Sequence, residues 1–251
     1  MSFASKSLII LDSVDSTNNY AMALIQKREI HAEIAVFAKE QTHGKGRRGK
    51  QWVSNKAENI VLSVAMPMQW LDVSRQFELS VAVALSCHDL LKNFVLKKVF
   101  IKWPNDIFLN DSKAGGILIE NVIKGKIWQW SVIGIGLNIN QEIFEEGIVA
   151  TSLKIATGKN FDVINLSEKL YSLILERIQE LKKGNFEKML EEYNSHLYAR
   201  EQLVKLKKQN ILFETTIVRV DCSGKLITRD SMERNYVFDE IEFKGLIKKK
   251  Q

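Results

Sequence analysis

Within seven residues, Gly44-Lys45-Gly46-Arg47-Arg48-Gly49-Lys50, three glycines are interleaved with four cations. Glycine lets a backbone come close to a ligand, and guanidinium and ammonium groups offer charge to phosphate or carboxylate oxygens. Three chemistries compete for such a segment. A phosphate-binding P-loop requires GxxxxGK followed by Ser or Thr; the first seven positions match, but Gln51 stands where the magnesium-holding hydroxyl belongs. The segment also precedes a strand pattern, so no helix N-terminus would face the phosphates, and the P-loop is rejected. A basic nucleic-acid patch is the second reading; no nucleic-acid-binding motif accompanies it, and the basic residues are not spread over a face. The third is a lid that closes over a small anionic ligand, and the rest of the chain must decide for or against it.

Two further clusters bear on that choice. Lys102-Trp103-Pro104-Asn105-Asp106 sets polar and charged groups between apolar strands, where leaving them unpaired is costly. Taken alone it reads as a proline-set turn. Lys113 is followed closely by Gly115 and Gly116, which let something bulky approach the backbone beside it. Gly134-Ile135-Gly136-Leu137-Asn138 ends an apolar strand and is too short for a dinucleotide fingerprint, which needs GxGxxG opening a helix.

The elements that must carry these residues follow from periodicity. Leu8 to Leu11 reads as a buried strand leading into Asp12–Asn18, a polar stretch suited to a helix start, with a helix running to about Arg28. Strands are predicted at Ile34–Ala38 and Ile60–Met66, with the loop Gln41–Ser54 between them. A long helix follows, placing Phe77, Val81, Ala84, Leu85 and Leu91 on one face. Short strands at Phe100–Trp103 and Ile107–Leu109 come next, with a turn at Asn110-Asp111. Gly116–Val122 and Ile127–Asn138 pair around Lys124-Gly125-Lys126. Helices return at Asn165–Leu181, where Asn165 and Glu168 resemble a capping box, and at Phe186–Leu197. From Gln202 the pattern turns to short β-runs at Leu203–Leu206, Leu212–Val220, Leu226–Thr228, Tyr236–Phe238 and Ile241–Phe243. The expectation is a mixed α+β domain followed by a small β-barrel of about fifty residues.

Composition narrows the class. With 45% hydrophobic residues in 251, the chain can bury a sizeable core, and two prolines leave no room for a Pro-rich disordered tract. The first ten residues hold too short an apolar run for a signal peptide, and no stretch approaches the roughly twenty apolar residues of a membrane span, which implies a cytoplasmic protein. Cys87 and Cys222 have no partnering spacing and each reads as a buried thiol; His31, His43, His88 and His196 lack ligand spacing, so no metal site is expected. The net charge of +6 suits nucleic acid, acidic small molecules or acidic protein partners, and the run Lys248-Lys249-Lys250 reads as a solvated tail.

As an ordered set, the motifs resemble the biotin–protein ligase family from about Leu8 to the end of the chain. The resemblance is carried by Ser16-Thr17-Asn18, Gln41 through Trp52, KWPND at Lys102–Asp106, Lys113 with Gly115-Gly116-Ile117-Leu118, GIGLN at Gly134–Asn138, and Ala150-Thr151-Ser152-Leu153. It implies an α+β fold, with a mixed β-sheet flanked by helices in a class II synthetase-like catalytic core over residues 1–197, and an SH3-like β-barrel over residues 198–251. A start almost directly at the core implies the ligase-only class, without an N-terminal DNA-binding domain. The family loop usually reads GRGRRGR; Lys45 and Lys50 keep the charge of the arginines they replace but lose the planar bidentate fork.

The same resemblance implies roles. ATP, with Mg2+, would activate biotin as biotinyl-5′-AMP, and a lysine of a biotin carboxyl carrier domain would receive it. Lys113 would sit between the biotin carboxylate and the α-phosphate. Arg47 and Lys50 would hold phosphate and shield the mixed anhydride; Lys102, Trp103, Asn105 and Asn138 would border the nucleotide. Asp106 would orient Lys113 or take the proton of the incoming carrier lysine. Biotin would be bound by Ser16, Thr17, Asn18, Gln41, Gly44 and Lys45, with Trp52 along its apolar tail. Taken alone, Ser16-Thr17-Asn18 is an ordinary helix cap and Trp52 an ordinary core tryptophan. No specific DNA and no membrane partner is implied, and a homodimer is left open. The rivals are a lipoate–protein ligase of the same fold, which has no ureido ring to recognise, and a non-catalytic basic nucleic-acid-binding protein.

Overall fold

In a computed structural model of the chain, residues 8–95 and 98–247 are described. Seven strands form one mixed sheet, β1 (Leu8–Leu11), β2 (Ile34–Ala38), β3 (Asn59–Pro67), β4 (Val99–Lys102), β5 (Asp106–Leu109), β6 (Ser112–Lys124) and β7 (Ile127–Asn138), in the order β1-β2-β3-β7-β6-β5-β4. Only β1 and β2 run parallel; the other neighbours are antiparallel. Among the described residues, five α-helices accompany the sheet: α1 (Thr17–Gln26), α2 (Gln76–Lys92), α3 (Leu153–Thr157), α4 (Val163–Lys182) and α5 (Phe186–Ser195). A second, antiparallel sheet follows, made of β8 (Leu203–Lys208), β9 (Ile211–Val220), β10 (Leu226–Arg229), β11 (Glu233–Tyr236) and β12 (Ile241–Leu246), and it is consistent with the expected SH3-like barrel.

Strand alternation decides what each face of the large sheet carries, because successive side chains point to opposite faces. Ala35 and Phe37 of β2, Ile60, Leu62 and Val64 of β3, and Ile133, Ile135 and Leu137 of β7 join the large core with α2 and α4. Val36, Ala65 and Val132 point the other way, against Ala21 of α1. On that second face the same parity sets Ser63, Gly134, Gly136, Gly116 and Glu120. They are the residues an apolar-core argument cannot account for, and the candidate site lies there.

Several expectations shift in detail. α4 begins at Val163 rather than Asn165, because the Asp162 carboxylate accepts the Asn165 amide at 3.0 Å and serves as the cap. The strand expected at Tyr236–Phe238 ends at Tyr236; the Glu240 amide donates to the Val237 carbonyl at 3.2 Å, closing a turn that leaves Phe238 and Asp239 outside the sheet. Cys222 is exposed rather than buried, since it lies in the Asp221–Gly224 turn, while Cys87 is buried and its thiol is pushed far up by that burial. The short helix α3, capped by Ser152, had no periodicity to announce it. The lysine run 248–250 lies outside the described residues.

Candidate active site

α1 begins at Thr17, with Ser16 at its N-cap position in extended backbone. Its hydroxyl does not cap the helix, although Ser16 is only 1% exposed and lines a cavity. Gln41, at the start of the glycine-rich loop, supplies the cap instead: its Oε1 accepts from the Thr17 amide at 2.8 Å and from the Thr17 hydroxyl at 3.0 Å. The Ser16 hydroxyl is thereby left at the cavity wall, where a ligand can use it.

From Thr17 a line of polar groups crosses the sheet. Ser63 of β3, fully buried, places its hydroxyl 2.7 Å from Thr17 Oγ1 and 2.6 Å from Asn18 Oδ1, within donating reach of both. Asn18 donates from Nδ2 to Glu120 Oε2 at 2.7 Å, and Lys45 Nζ lies 3.7 Å from Glu120 Oε1. Such a chain is affordable in the interior only because its members satisfy one another. The glycines beneath it make room: a Cβ on Gly134 would lie 2.4 Å from Asn18 Oδ1, and one on Gly136 would lie 2.3 Å from the Trp52 ring. Trp52 therefore lies flat on β7, and its indole Nε1 is buried without a protein partner among the described residues.

Beyond Trp52 the site turns cationic. Asp106, where β5 begins, pairs with Lys113 of β6 at 2.6 Å, which holds the ammonium beside Gly116 and 5.9 Å from the Trp52 ring. Lys102 sits 4.7 Å over the rings of both Phe108 and Phe243; burial depresses its ammonium below the ordinary lysine range, against the pull of Asp106. Asn105 is turned inward, its Nδ2 on the Ile117 carbonyl at 2.9 Å, and it pins the KWPND turn to β6. The Trp103 indole donates to the Gly224 carbonyl at 3.0 Å, so the same turn also holds the C-terminal sheet.

The glycine-rich loop folds back on itself, with Gly46 N donating to Lys50 O at 2.7 Å and Trp52 N to Gly44 O at 2.9 Å. Its cations meet the turn after β11. The Arg47 guanidinium lies 3.1 Å from the Phe238 ring centroid, and Arg48 pairs with Asp239 at 2.6 Å. Partial burial lowers Arg47 from the ordinary arginine value.

One cavity thus gathers Ser16, Asn18, Gln41, Lys45, Arg47, Trp52, Asn105 and Lys113. A second opening, which shares Arg47, Trp52 and Lys113 with it as lining residues, adds Lys50, Lys102, Trp103 and Asp106. Thr17 stands one layer behind the wall, and Gly44 lies against the Trp52 carbonyl and the Gln41 side-chain amide. Asn138 lines neither opening; it is buried and donates to the Thr151 carbonyl at 3.0 Å, while the Thr151 amide donates to Lys113 O at 2.9 Å. Its place is behind Lys113. Sequence reasoning missed Ser63, Glu120, Phe238 and Asp239. Ser63 had a faint signal, a hydroxyl inside the apolar run of β3; Phe238 and Asp239 had none, since their role depends on how two distant segments meet.

The chain is similar to known proteins in both sequence and fold. The Biotin/lipoate A/B protein ligase family matches residues 10–138. The bifunctional ligase/repressor BirA of Escherichia coli is 34% identical over 143 residues, 57% of this chain and 44% of that protein. The biotin–[acetyl-CoA-carboxylase] ligase of Paracoccus denitrificans is 35% identical over 132 residues, 52% of this chain and 53% of that one. The chain thus spans about half the length of these curated relatives. In fold, it is similar to the biotin protein ligase of Aquifex aeolicus in complex with biotin and ATP, with a TM-score of 0.81 at 24% identity, over 95% of this chain and 99% of that one.

Proposed function

Because the chain belongs to the Biotin/lipoate A/B protein ligase family, we propose that it is a biotin–protein ligase. It joins biotin to ATP as biotinyl-5′-AMP with release of pyrophosphate, then passes the biotinyl group to a lysine of a biotin carboxyl carrier domain with release of AMP. The observation that carries the biotin reading is the Ser16 hydroxyl, buried at the cavity wall and relieved of capping by Gln41. A polar ring such as the ureido group gives that hydroxyl a partner; the dithiolane of lipoate does not.

In the first step two anions must meet. The carboxylate is already ionised near neutral pH, so the barrier is one of charge and orientation rather than of proton removal. Lys113, which pairs with Asp106, would neutralise the carboxylate and the α-phosphate as the new P–O bond forms and pyrophosphate leaves. Lys102, Lys50 and Arg47 line the opening where the polyphosphate would lie, and magnesium enters with the nucleotide as part of the substrate. In the second step the carrier amine attacks the acyl carbon, the C–O bond to AMP breaks, and the amine proton passes to Asp106 once Lys113 has shifted from it. Residues 1–197 would form the catalytic domain and 198–251 the barrel domain, divided where the large sheet and its helices give way to β8. The cytoplasm is the setting we assign. Among the described residues no helix is long and apolar enough to cross a membrane.

The test is exchange of radiolabelled pyrophosphate into ATP. Biotin should support it and lipoate should not, with a preference on the order of 10⁴, as for a site whose buried polar groups go unpaired with the wrong ligand. Equal exchange with both acids would overturn the roles given to Ser16 and Gln41.

A further inference from the structure

We propose that Glu120 is a positioning residue that ties the glycine-rich loop to the inner end of the biotin cavity, so that one carboxylate sets both the pocket wall and the closed state of the loop. The inference rests on the biotin ligase reading above and goes beyond it, because Glu120 lies outside every motif that carries the resemblance.

The case begins with parity. β6 runs Gly116-Ile117-Leu118-Ile119-Glu120, and its register against β7 puts Glu120 on the α1 side of the sheet. Its partner across the ladder is Val132, two residues before Gly134, the position where Asn18 comes down on the strands. Its two oxygens do different work. Oε2 accepts from Asn18 Nδ2 at 2.7 Å. An asparagine amide can point either end outward; a carboxylate can only accept, so this bond fixes the nitrogen toward β6 and the oxygen toward Ser63. The orientation of Asn18, and through Ser63 that of Thr17 and Gln41, then depends on Glu120.

Oε1 faces the loop. Lys45 Nζ lies 3.7 Å away, too far for a hydrogen bond and close enough for an ion pair, with both side chains partly exposed. Among the ion pairs of the described residues Glu120 is the one partner of Lys45. Lys45 follows Gly44 and precedes Gly46, so its side chain is the first anchor available to a segment whose backbone is otherwise costly to order. Lysine suits this place: a compact ammonium on a flexible stem reaches a single carboxylate oxygen without the planar match a guanidinium demands. Closing the loop over biotin and tightening the Lys45–Glu120 pair are thus the same movement. Glu120 need not touch the ligand to slow its escape.

Two substitutions separate the two oxygens' roles. Glu120→Gln retains an acceptor for Asn18 and cancels the charge facing Lys45; Glu120→Ala removes both. Biotin dissociation is followed by stopped-flow tryptophan fluorescence on the full chain, with KM for ATP measured alongside. Glu120→Gln should release biotin about 3-fold faster, the size of a partly exposed ion pair. Glu120→Ala should release it roughly 10- to 50-fold faster, since Asn18 then loses its anchor. KM for ATP should stay within about 2-fold for both, as neither oxygen faces the nucleotide opening. Lys45→Met should match Glu120→Gln, and the double variant should be no worse than either single one. Added salt should speed release from the wild type and leave Glu120→Gln nearly unchanged. Wild-type release rates in both Glu120 variants, or additive effects of Lys45→Met and Glu120→Gln, would overturn the tie. A wild-type chain that binds no biotin at all would remove the ligase reading and this inference with it.

Discussion

The two ends of the cavity are built on opposite plans. At the inner end, Thr17, Asn18 and Ser63 are at most 3% exposed, and their polar atoms are matched to one another, to Gln41 or to Glu120 at 2.6 to 3.0 Å. At the outer end, Arg47, Arg48 and Lys102 rest on groups a nucleotide could replace: an aromatic face, a partly exposed aspartate, a pair of phenylalanine rings. The inner end is set before any ligand arrives, and most of its ordering has been done by folding. The outer end holds its cations in provisional partnerships. Recognition of a small uncharged ring calls for the first plan, because an unpaired buried polar group discriminates strongly. Handling a polyanion calls for the second, since its charge must be met and later released.

The largest expected effect lies where the two plans meet. Lys113→Met keeps much of the side chain's length and removes the charge, so adenylate formation in a single turnover should slow by roughly 10²–10³-fold, the size of one lost electrostatic donor. Thermal stability should change little, because the pair with Asp106 is partly exposed. A near-normal rate would mean that the charge at the α-phosphate comes from elsewhere.

Breaking the inner end should affect biotin alone. Ser63→Ala removes a hydroxyl whose single proton reaches Thr17 Oγ1 or Asn18 Oδ1 and leaves a buried acceptor without its donor, at a cost of about 1–3 kcal/mol. Biotin affinity should fall about 10-fold or more by calorimetry with ATP affinity intact. An equal loss for both ligands would erase the distinction between the two ends.

Loosening the outer end should affect retention instead. Arg47→Gly deletes the guanidinium and adds a flexible position, so the variant should form biotinyl-adenylate and release it roughly 10-fold faster, the size of a lost charged hydrogen bond. Escaped adenylate should label lysines of a bystander such as albumin. Loss of adenylation with no bystander labelling would instead make Arg47 part of the catalytic clamp.

The smallest effect is a displacement on the pH axis. Burial disfavours the charged form of Lys102, so the amine loses its proton at lower pH than an ordinary lysine. Its charge is present on the acid side and disappears as pH rises through this depressed value. ATP affinity should therefore decline at alkaline pH before an ordinary lysine would titrate, and Lys102→Arg should carry the decline to higher pH. The neighbouring Asp106, Lys113 and Lys50 charges act on the same group, which makes the shift between the two proteins the informative quantity.

Much of this could be read from the residues in order. Apolar patterning determined the strands at Ile34–Ala38 and Ile127–Asn138 and the long helices α2 and α4: α4 buries a stripe at helical spacing, while β2, β7 and α2 are apolar over most of their length because they are covered on more than one side. The motifs likewise named the loop, the KWPND turn and Lys113, since chemistry on anions needs cations and glycines wherever they stand in the chain. Tertiary structure alone decided which partners those residues have. That Gln41 caps α1 and frees Ser16, that Ser63 is turned to the α1 face, and that Phe238 and Asp239 receive the loop's arginines all follow from segments 24 to 191 residues apart meeting in space. A hydrogen bond or an ion pair depends on distance through space, and no local pattern in the chain records that distance.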